Sequence, residues 1–76
     1  MTEIGISFRN IEDIQNYLRE IEEFDIPMDV KCGSVSVDAK SIMGIMSLGL
    51  NKVVTLLVSS DYSEKVRTAI ANYVVE

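Results

Sequence analysis

Histidine does not occur at any of the 76 positions of this sequence, and tryptophan is also absent. Without an imidazole the chain forms no Ser/His or Cys/His catalytic pair, and it lacks the usual nitrogen ligand of zinc sites. Cysteine occurs once, as Cys32, so no internal disulfide forms. Cys32 lies in a strand-like pattern with no general base beside it, which favours a buried apolar side chain over a reactive thiol.

Positive charge is also scarce, because seven Lys and Arg residues accompany twelve Asp and Glu residues and leave a net charge of −5. Such a chain is repelled by nucleic acid and by acidic membrane surfaces. The longest apolar run, Val53 to Val58, is much shorter than the roughly 20 residues that cross a bilayer. Met1 to Glu3 have neither the basic nor the apolar stretch of a signal peptide. We therefore expect a cytoplasmic protein with no nucleic-acid partner and no membrane insertion.

The overall composition is typical of a chain that folds along its whole length. Hydrophobic residues make up 47% and charged residues 25%, with one proline and four glycines, so no linker or low-complexity segment stands out. A chain this short buries only about 60% of its unfolded surface and has too little for a second core. We predict a single domain over residues 1–76, without a cofactor.

The first apolar patterns predict a strand followed by a helix. The residues that alternate with polar or small neighbours, as in a half-buried strand, are Ile4, Ile6 and Phe8. Asn10 then caps a helix that ends near Glu23 and has two acidic residues in its first turn. The apolar stripe of this helix consists of Ile11, Ile14, Leu18 and Ile21.

The middle of the chain predicts a β-hairpin and a short helix. Alternation over residues 28–32 and 35–39, on either side of Gly33 and Ser34, is typical of two paired strands. The following segment is too apolar for a loop and contains too much glycine for a long helix. We expect a short helix that is capped by Ser41 and ends near Gly49.

The last third predicts a buried strand and a final helix. Residues 53–58 are rich in β-branched side chains, as expected of a strand. Asp61 and Glu64 have the spacing of a capping box at the start of a helix. The apolar stripe of that helix consists of Val66, Ala69, Ile70, Tyr73 and Val74. A hairpin among these elements favours a mostly antiparallel sheet with helices on one face.

The segment Lys40-Ser41-Ile42-Met43-Gly44-Ile45-Met46-Ser47-Leu48-Gly49 resembles the signature segment of the HPr family, the histidine-containing phosphocarriers of the bacterial sugar phosphotransferase system. The resemblance is sharpest over residues 35–49, and the order of elements extends it over the chain. It implies an HPr-like open-faced β-sandwich of class α+β, with the order β-α-β-β-α-β-α. It also implies a four-stranded sheet with three helices on one face, and a carrier or regulator, not an enzyme.

HPr proteins carry phosphate on a histidine at the start of the first helix, in a motif similar to G-x-H-A-R-P. The matching region here, residues 7–13, has no histidine and no Arg-Pro pair. Asn10 lies nearest the position of the lost phospho-histidine, and its amide accepts no phosphate. Glu12 and Asp13 would repel a phosphate through like charge. Arg9 either partly replaces the family's arginine or, as we favour, is a solvated surface residue.

The short second helix carries the other family sites. Ser41 matches the regulatory serine that an ATP-dependent kinase phosphorylates in many Gram-positive members; the alternative is that its hydroxyl only caps the short helix. The residues that correspond to the family's partner-binding patch are Lys40, Ile42, Met43, Met46 and Leu48. So short a helix leaves at least one methionine facing solvent, whereas Ile45 and Leu48 are equally well explained as core residues.

Three functions fit this sequence. The leading one is a non-catalytic regulatory protein, phosphorylated on Ser41, whose partners are an enzyme I-like protein, sugar-transporter domains, a transcriptional regulator or a serine kinase. The second is a phosphocarrier with another acceptor, Asp13 or Cys32. The third is an assembly subunit that makes contacts through Val53 and Leu57. The acidic run Glu20, Glu22, Glu23 and Asp25 is predicted to be a solvated helix end and not a metal site.

Overall fold

The computed structural model describes residues 1–75, over which the chain forms four strands and three α-helices in the predicted order. The strands are β1 (Thr2–Ile6), β2 (Asp29–Cys32), β3 (Val35–Asp38) and β4 (Val54–Val58). The helices are α1 (Ile11–Ile21), α2 (Ile42–Leu48) and α3 (Ser63–Ala69), followed by a 3-10 turn over Ala71–Tyr73. The α+β class and the element order predicted from the sequence are confirmed.

The four strands form one antiparallel sheet in the order β1-β4-β2-β3. One row of side chains crosses it from edge to edge, with Ile4 opposite Leu56, Leu56 opposite Val30, and Val30 opposite Val37. The first three of these are fully buried, and Val37 packs partly against the same core. Because side chains alternate between the two faces of a strand, this row marks the face that the helices cover.

The hairpin between β2 and β3 turns through two residues. Gly33 has a φ of +62°, and Cys32 pairs directly with Val35 on the other strand. A positive φ at the first loop position is the pattern of a type II′ turn, in which glycine avoids the steric cost of a Cβ atom. Cys32 is half-buried, so the expectation of a fully buried cysteine is only partly met.

Tyr17 joins α1 to the connection between β3 and α2. Its ring packs edge-on against Phe8, with ring centroids 5.0 Å apart, and its hydroxyl donates to the carbonyl oxygen of Ala39 at 2.9 Å. Burial raises the pKa of Tyr17 far above its ordinary value, so the phenol remains a neutral donor. The predicted stripe omitted this residue, although Ile14 and Ile21 flank it at helical spacing on the buried face of α1.

The expectation that Ile11 faces the core is wrong, because 45% of this residue is exposed. Ile11 is the first residue of α1, and the helix turns its side chain away from the sheet at this end. The buried face of α1 therefore starts at Asp13 and Ile14 and not at the first residue of the helix.

The capping box predicted for α3 is also wrong. This helix begins at Ser63, with Tyr62 in the N-cap position and no side-chain cap bond. A turn precedes it, because the Tyr62 N–H donates to the Ser59 oxygen at 2.9 Å and the Ser63 hydroxyl donates to the Ser60 oxygen at 3.1 Å. These bonds delay the start of the helix and place Asp61 in the turn.

The apolar stripe predicted for α3 extends beyond the helix itself. α3 ends at Ala69, Tyr73 lies in the 3-10 turn, and Val74 forms an antiparallel bridge with Ile6. The Ser7 N–H donates to the Tyr73 oxygen at 2.9 Å. These contacts cover the outer edge of β1 at its C-terminal end, where unpaired backbone groups would otherwise be exposed.

Candidate functional site

The helix α2 has the start and the end predicted from the sequence. The Ser41 hydroxyl accepts a hydrogen bond from the Gly44 N–H at 3.1 Å and so caps the first turn. Gly49 follows the last turn with a φ of +103°, a conformation that L side chains rarely adopt. These two residues fix the length of α2 at seven residues.

Two of the apolar residues on α2 belong to the core. Ile45 and Leu48 are only 1% and 6% exposed and pack against the side chains under the helix. Leu48 therefore is not available to a partner, and its assignment to the binding patch is wrong. Ile45 and Leu48 lie three residues apart on one face, so α2 uses this face to anchor itself.

The opposite side of α2 exposes the remaining apolar side chains. Met43 is 79% exposed and Met46 is 42% exposed, as expected for a helix too short to bury all of them. Ile42 and Leu50 are each 37% exposed. Met43 and Met46 lie three residues apart on α2 and Ile42 lies beside Met46, whereas Leu50 follows Gly49 in the loop after the helix. We call these four residues, Ile42, Met43, Met46 and Leu50, the α2 surface; Leu50 was not predicted.

Positive charge borders the α2 surface. Residues 39–60 contain Lys40 and Lys52 but no Asp or Glu, in a chain with twelve acidic residues. The Asn51 N–H donates to the Phe8 oxygen at 2.7 Å, which holds the loop after α2 against the residue before Arg9. Lys40 is half-buried and Lys52 is exposed. An apolar surface with basic neighbours favours partners that are themselves acidic.

Asn10 has a structural task at the start of α1. Its side-chain oxygen accepts a hydrogen bond from the Asp13 N–H at 2.9 Å, which makes it the predicted N-cap. The residue itself is exposed. An amide has no nucleophilic ring nitrogen, so this position holds the helix start without offering a phosphate acceptor.

Arg9 and Asp13 form an ion pair beside this cap. One carboxylate oxygen of Asp13 accepts from the Arg9 N–H at 3.0 Å and from Arg9 Nε at 3.2 Å. The Asp13 side chain is 12% exposed and that of Arg9 81% exposed. The backbone N–H of Arg9, followed by its side chain, lowers the pKa of Asp13.

Two expectations for this pair need correction. Arg9 is exposed as predicted, but its guanidinium is bonded to a carboxylate and is not simply solvated. The same bonds partly neutralise the Asp13 carboxylate. The exposed Glu12 therefore contributes more than Asp13 to the negative charge that would repel a phosphate at the start of α1. The i, i+4 spacing of opposite charges was the sequence signal for this pair.

A metal-binding cluster and a membrane-spanning helix are both absent from the part of the chain that the structure describes. Among residues 1–75 no three Cys, Asp or Glu side chains are grouped so that they could hold a metal ion. Within the same residues no helix has the length and apolar character needed to span a membrane.

Comparison with known proteins agrees with this geometry. The family model described as the PTS HPr component phosphorylation site matches residues 4–75. The structure is similar to that of HPr-C-His from Thermoanaerobacter tengcongensis, with a TM-score of 0.75, 30% sequence identity and coverage of 95% of this chain and 89% of that one. It is also similar to the phosphocarrier protein HPr from Bacillus anthracis str. Ames, with a TM-score of 0.73, 25% identity and coverage of 97% and 96%.

No significant match is found among curated proteins. The family match nevertheless spans nearly the whole sequence, and the two solved structures share its sheet and helices. The chain therefore belongs to the HPr family of phosphotransferase-system phosphocarriers, and it is a member without any histidine.

Proposed function

We propose that this chain is a non-catalytic regulatory member of the HPr family that binds protein partners through the α2 surface and does not carry phosphate. The observation that supports this most directly is Met43, whose side chain is 79% exposed on a helix that is otherwise firmly anchored. A large apolar side chain at such a place costs solubility, and it is typical of a partner-binding surface.

Phosphate transfer has little support from the residues near the start of α1. Asn10 supplies only an amide, and the carboxylate of Asp13 is bonded to Arg9 and nearly buried. Cys32 is half-buried on β2, a strand that leads into the hairpin and not into α1. A role as an assembly subunit has less support, since Val53 is 62% exposed but Leu57 is half-buried.

The partners we propose are proteins of the phosphotransferase system in the cytoplasm, first an enzyme I-like protein and then sugar-transporter domains. A transcriptional regulator is a further partner of the same class. The basic residues Lys40 and Lys52 border the α2 surface and would face acidic groups on these proteins. The apolar side chains would supply most of the binding energy, because buried anchors at the centre of an interface dominate affinity.

We further propose Ser41 as the residue that a serine kinase modifies. Its hydroxyl lies at the start of α2, beside Ile42 of the α2 surface, and it is partly exposed. A phosphate there would replace the bond to the Gly44 N–H with charge-assisted bonds and would add about two negative charges at the edge of the surface. Modification would thus weaken binding to acidic partners without unfolding α2.

An inhibition experiment tests the proposed function. Enzyme I, phosphoenolpyruvate and a histidine-containing HPr are mixed with increasing amounts of this chain, and formation of phospho-HPr is followed. We expect competitive inhibition without label on the chain itself. Met43→Asp should lose at least tenfold in inhibition, since a central apolar anchor contributes about 2 kcal/mol or more.

Tyr62→Asp is the matched control for this experiment. Tyr62 is 40% exposed and precedes α3, a helix that packs against α1, so the variant adds the same charge away from the α2 surface. Full inhibition by Tyr62→Asp together with its loss in Met43→Asp supports the proposal. Absence of inhibition by the wild-type chain, or equal inhibition by both variants, contradicts it.

A further inference from the structure

The two edges of the sheet differ in how their backbone groups are satisfied. At the β1 edge the Ser7 N–H donates to the Tyr73 oxygen at 2.9 Å. The Val75 N–H donates to the Gly5 oxygen at the same distance. At the opposite edge, within the part of the chain that the structure describes, β3 pairs with β2 on one side and with no strand on the other. The outer side of β3 is therefore an open sheet edge.

The register of β3 on β2 shows which of its backbone groups face outward. The Ala39 N–H donates to the Met28 oxygen at 3.0 Å, and hydrogen-bonded pairs alternate with non-hydrogen-bonded pairs along an antiparallel ladder. Ser36 and Asp38 therefore point their N–H and C=O groups away from β2. The Asp38 oxygen accepts from the Ser41 N–H at 3.0 Å. Over residues 1–75 this leaves three groups without a bonding partner: the N–H and the oxygen of Ser36, and the N–H of Asp38.

The open edge of β3 lacks the usual devices that prevent another strand from pairing. The strand, with the sequence Val-Ser-Val-Asp, contains no lysine and no proline, and its register on β2 is continuous, without a bulge. Ser36 and Asp38 are both exposed, and Val35 is 51% exposed. An incoming strand would thus reach the three open backbone groups without any rearrangement of the fold.

Negative charge lies beside this edge, on the face of the sheet that the helices do not cover. Asp29 pairs directly with Asp38, and both belong to the row next to Val30 and Val37, which face the core. Like charges directly opposite each other destabilise an antiparallel pair. Over residues 1–75 neither carboxylate forms an ion pair, although Lys31 lies on the same face. A basic group added next to Asp38 would relieve this repulsion.

We propose that the outer edge of β3 binds an extended segment of a partner protein as a fifth strand, and that this segment has lysine or arginine at alternate positions. Main-chain hydrogen bonds to Ser36 and Asp38 would hold the segment. Its basic side chains would lie beside Asp38, and the apolar side chains between them would contact Val35. A second copy of this chain fits less well, because its own β3 would bring another Asp38 and a net charge of −5 to the edge.

The test uses NMR and the synthetic peptide acetyl-Thr-Lys-Val-Lys-Val-Lys-Thr-amide. Amide hydrogen exchange at Ser36 and Asp38 should be fast in the free protein. Peptide at about ten times its dissociation constant should slow exchange at both positions about tenfold, because only the free fraction then exchanges. The same peptide with glutamate in place of the three lysines should bind at least tenfold more weakly. Asp38→Asn keeps the side-chain oxygen that accepts from the Lys40 N–H, and it should narrow the difference between the two peptides.

Ser36→Pro tests the backbone bonds from the side of the protein. The substitution removes an N–H that bonds nothing in the fold, which an edge strand tolerates, so the variant should fold while its affinity for the lysine peptide falls at least tenfold. Ser36→Ala is the matched control, since it keeps the N–H and should bind as the wild type does.

A pair of methylated peptides tests the same bonds with the protein unchanged, which covers the case in which Ser36→Pro does not fold. One peptide carries N-methyl groups on its lysines and the other on its valines. Only one of these two sets of N–H groups faces β3 in an added strand. One methylated peptide should therefore lose binding and the other should keep it.

Four results would overturn the inference. They are equal binding by both methylated peptides, unchanged exchange at Ser36 and Asp38, equal affinity for the lysine and glutamate peptides, and chemical-shift changes at the α2 surface instead of β3. A dimer of the free chain in which the Ser36 and Asp38 amides are protected would show that a second copy occupies the edge. Met43→Asp should bind the lysine peptide as the wild type does, so the edge of β3 and the α2 surface are tested separately.

Discussion

A Cβ atom added at Gly44 would lie 2.9 Å from the Cβ atom of Val37 and 3.2 Å from the Ser41 hydroxyl oxygen. The Val37 Cβ is bonded directly to the backbone of β3, so it cannot rotate away as the end of a long side chain would. Glycine thus allows α2 to lie close over the hairpin. This contact sets how far the α2 surface projects from the sheet.

Replacing Gly44 with alanine should destabilise the fold by about 1–3 kcal/mol, the usual cost of overpacking a tight contact. Urea unfolding measures the change. Alanine also has a higher helix propensity than glycine, by about 1 kcal/mol, and this gain opposes the cost of overpacking. The sign of the measured change in unfolding free energy therefore shows which of the two effects is larger. Met43→Ala, at the exposed side of the same helix, should change stability by no more than about 0.5 kcal/mol. A Gly44→Ala variant as stable as wild type would show that α2 is not held this closely.

Gly44 also illustrates what the sequence could and could not predict. The ends of α2 follow from local chemistry, because a serine hydroxyl caps a helix and a glycine ends one, and both were predicted. The closeness of Gly44 to Val37 is a tertiary contact between elements, and nothing in the local pattern of residues 40–49 reveals it. The same holds for Leu48, whose burial depends on what lies under the helix.

The early part of the chain shows a different limit. Apolar spacing predicted α1 and its cap at Asn10, but it placed Ile11 inside and omitted Tyr17. A stripe of aliphatic residues undervalues a tyrosine, because the phenol needs a buried acceptor that only the folded chain supplies. The oxygen of Ala39 is that acceptor.

Tyr17→Phe should destabilise the domain by about 1–3 kcal/mol. The substitution keeps the ring contact with Phe8 but leaves the Ala39 oxygen without the donor that reaches it at 2.9 Å. Thermal melting checks this, with Tyr62→Phe as the control because Tyr62 is 40% exposed. Equal melting temperatures for Tyr17→Phe and wild type would mean that water satisfies the carbonyl in the variant.

Ser41→Ala should cost about 0.5–2 kcal/mol through loss of the cap bond to the Gly44 N–H. The same variant tests the proposed modification. Wild-type protein incubated with a serine kinase of HPr proteins and ATP should gain one phosphate on the peptide from Lys40 to Leu50, and Ser41→Ala should gain none. Phosphate on Ser47 or Ser63 instead would contradict the assignment of Ser41.

The free energy of unfolding should fall as the pH is lowered, and the carboxylate of Asp13 should contribute to this fall. Its bonds to Arg9 lower its pKa in the folded protein below the ordinary value of about 3.9. The carboxylate therefore contributes stability that is fully present above the pKa of the unfolded chain and is lost as the pH falls through the lower folded value. Urea unfolding should show the difference between wild type and Asp13→Asn shrinking below about pH 4. Asp25→Asn, which removes one negative charge at an exposed position, is the control for the change in net charge. A difference that stays constant with pH would exclude this role for the charge of Asp13.

The wild-type chain should accept no phosphate from phosphoenolpyruvate through enzyme I. Phosphocarriers of this family form a phosphoramidate on a ring nitrogen, and the chain has no histidine at which one could form. Radiolabelled phosphoenolpyruvate followed by gel autoradiography measures transfer directly. Acid-labile label on the wild-type chain would overturn the assignment as a non-carrier.

Asn10→His should restore transfer only weakly. The new ring would supply the missing nitrogen, but it would remove the amide oxygen that accepts from the Asp13 N–H at 2.9 Å and so loosen the helix start. Glu12 and Asp13 would still place like charge beside the phosphate, and Arg9 is already bonded to Asp13. Adding Glu12→Gln to Asn10→His should raise the rate of phosphate transfer, because it removes one of these negative charges. A higher salt concentration should narrow the difference in transfer rate between the single and the double variant. Transfer by Asn10→His alone at the rate of a histidine-containing HPr would show that the surrounding charges do not limit the reaction.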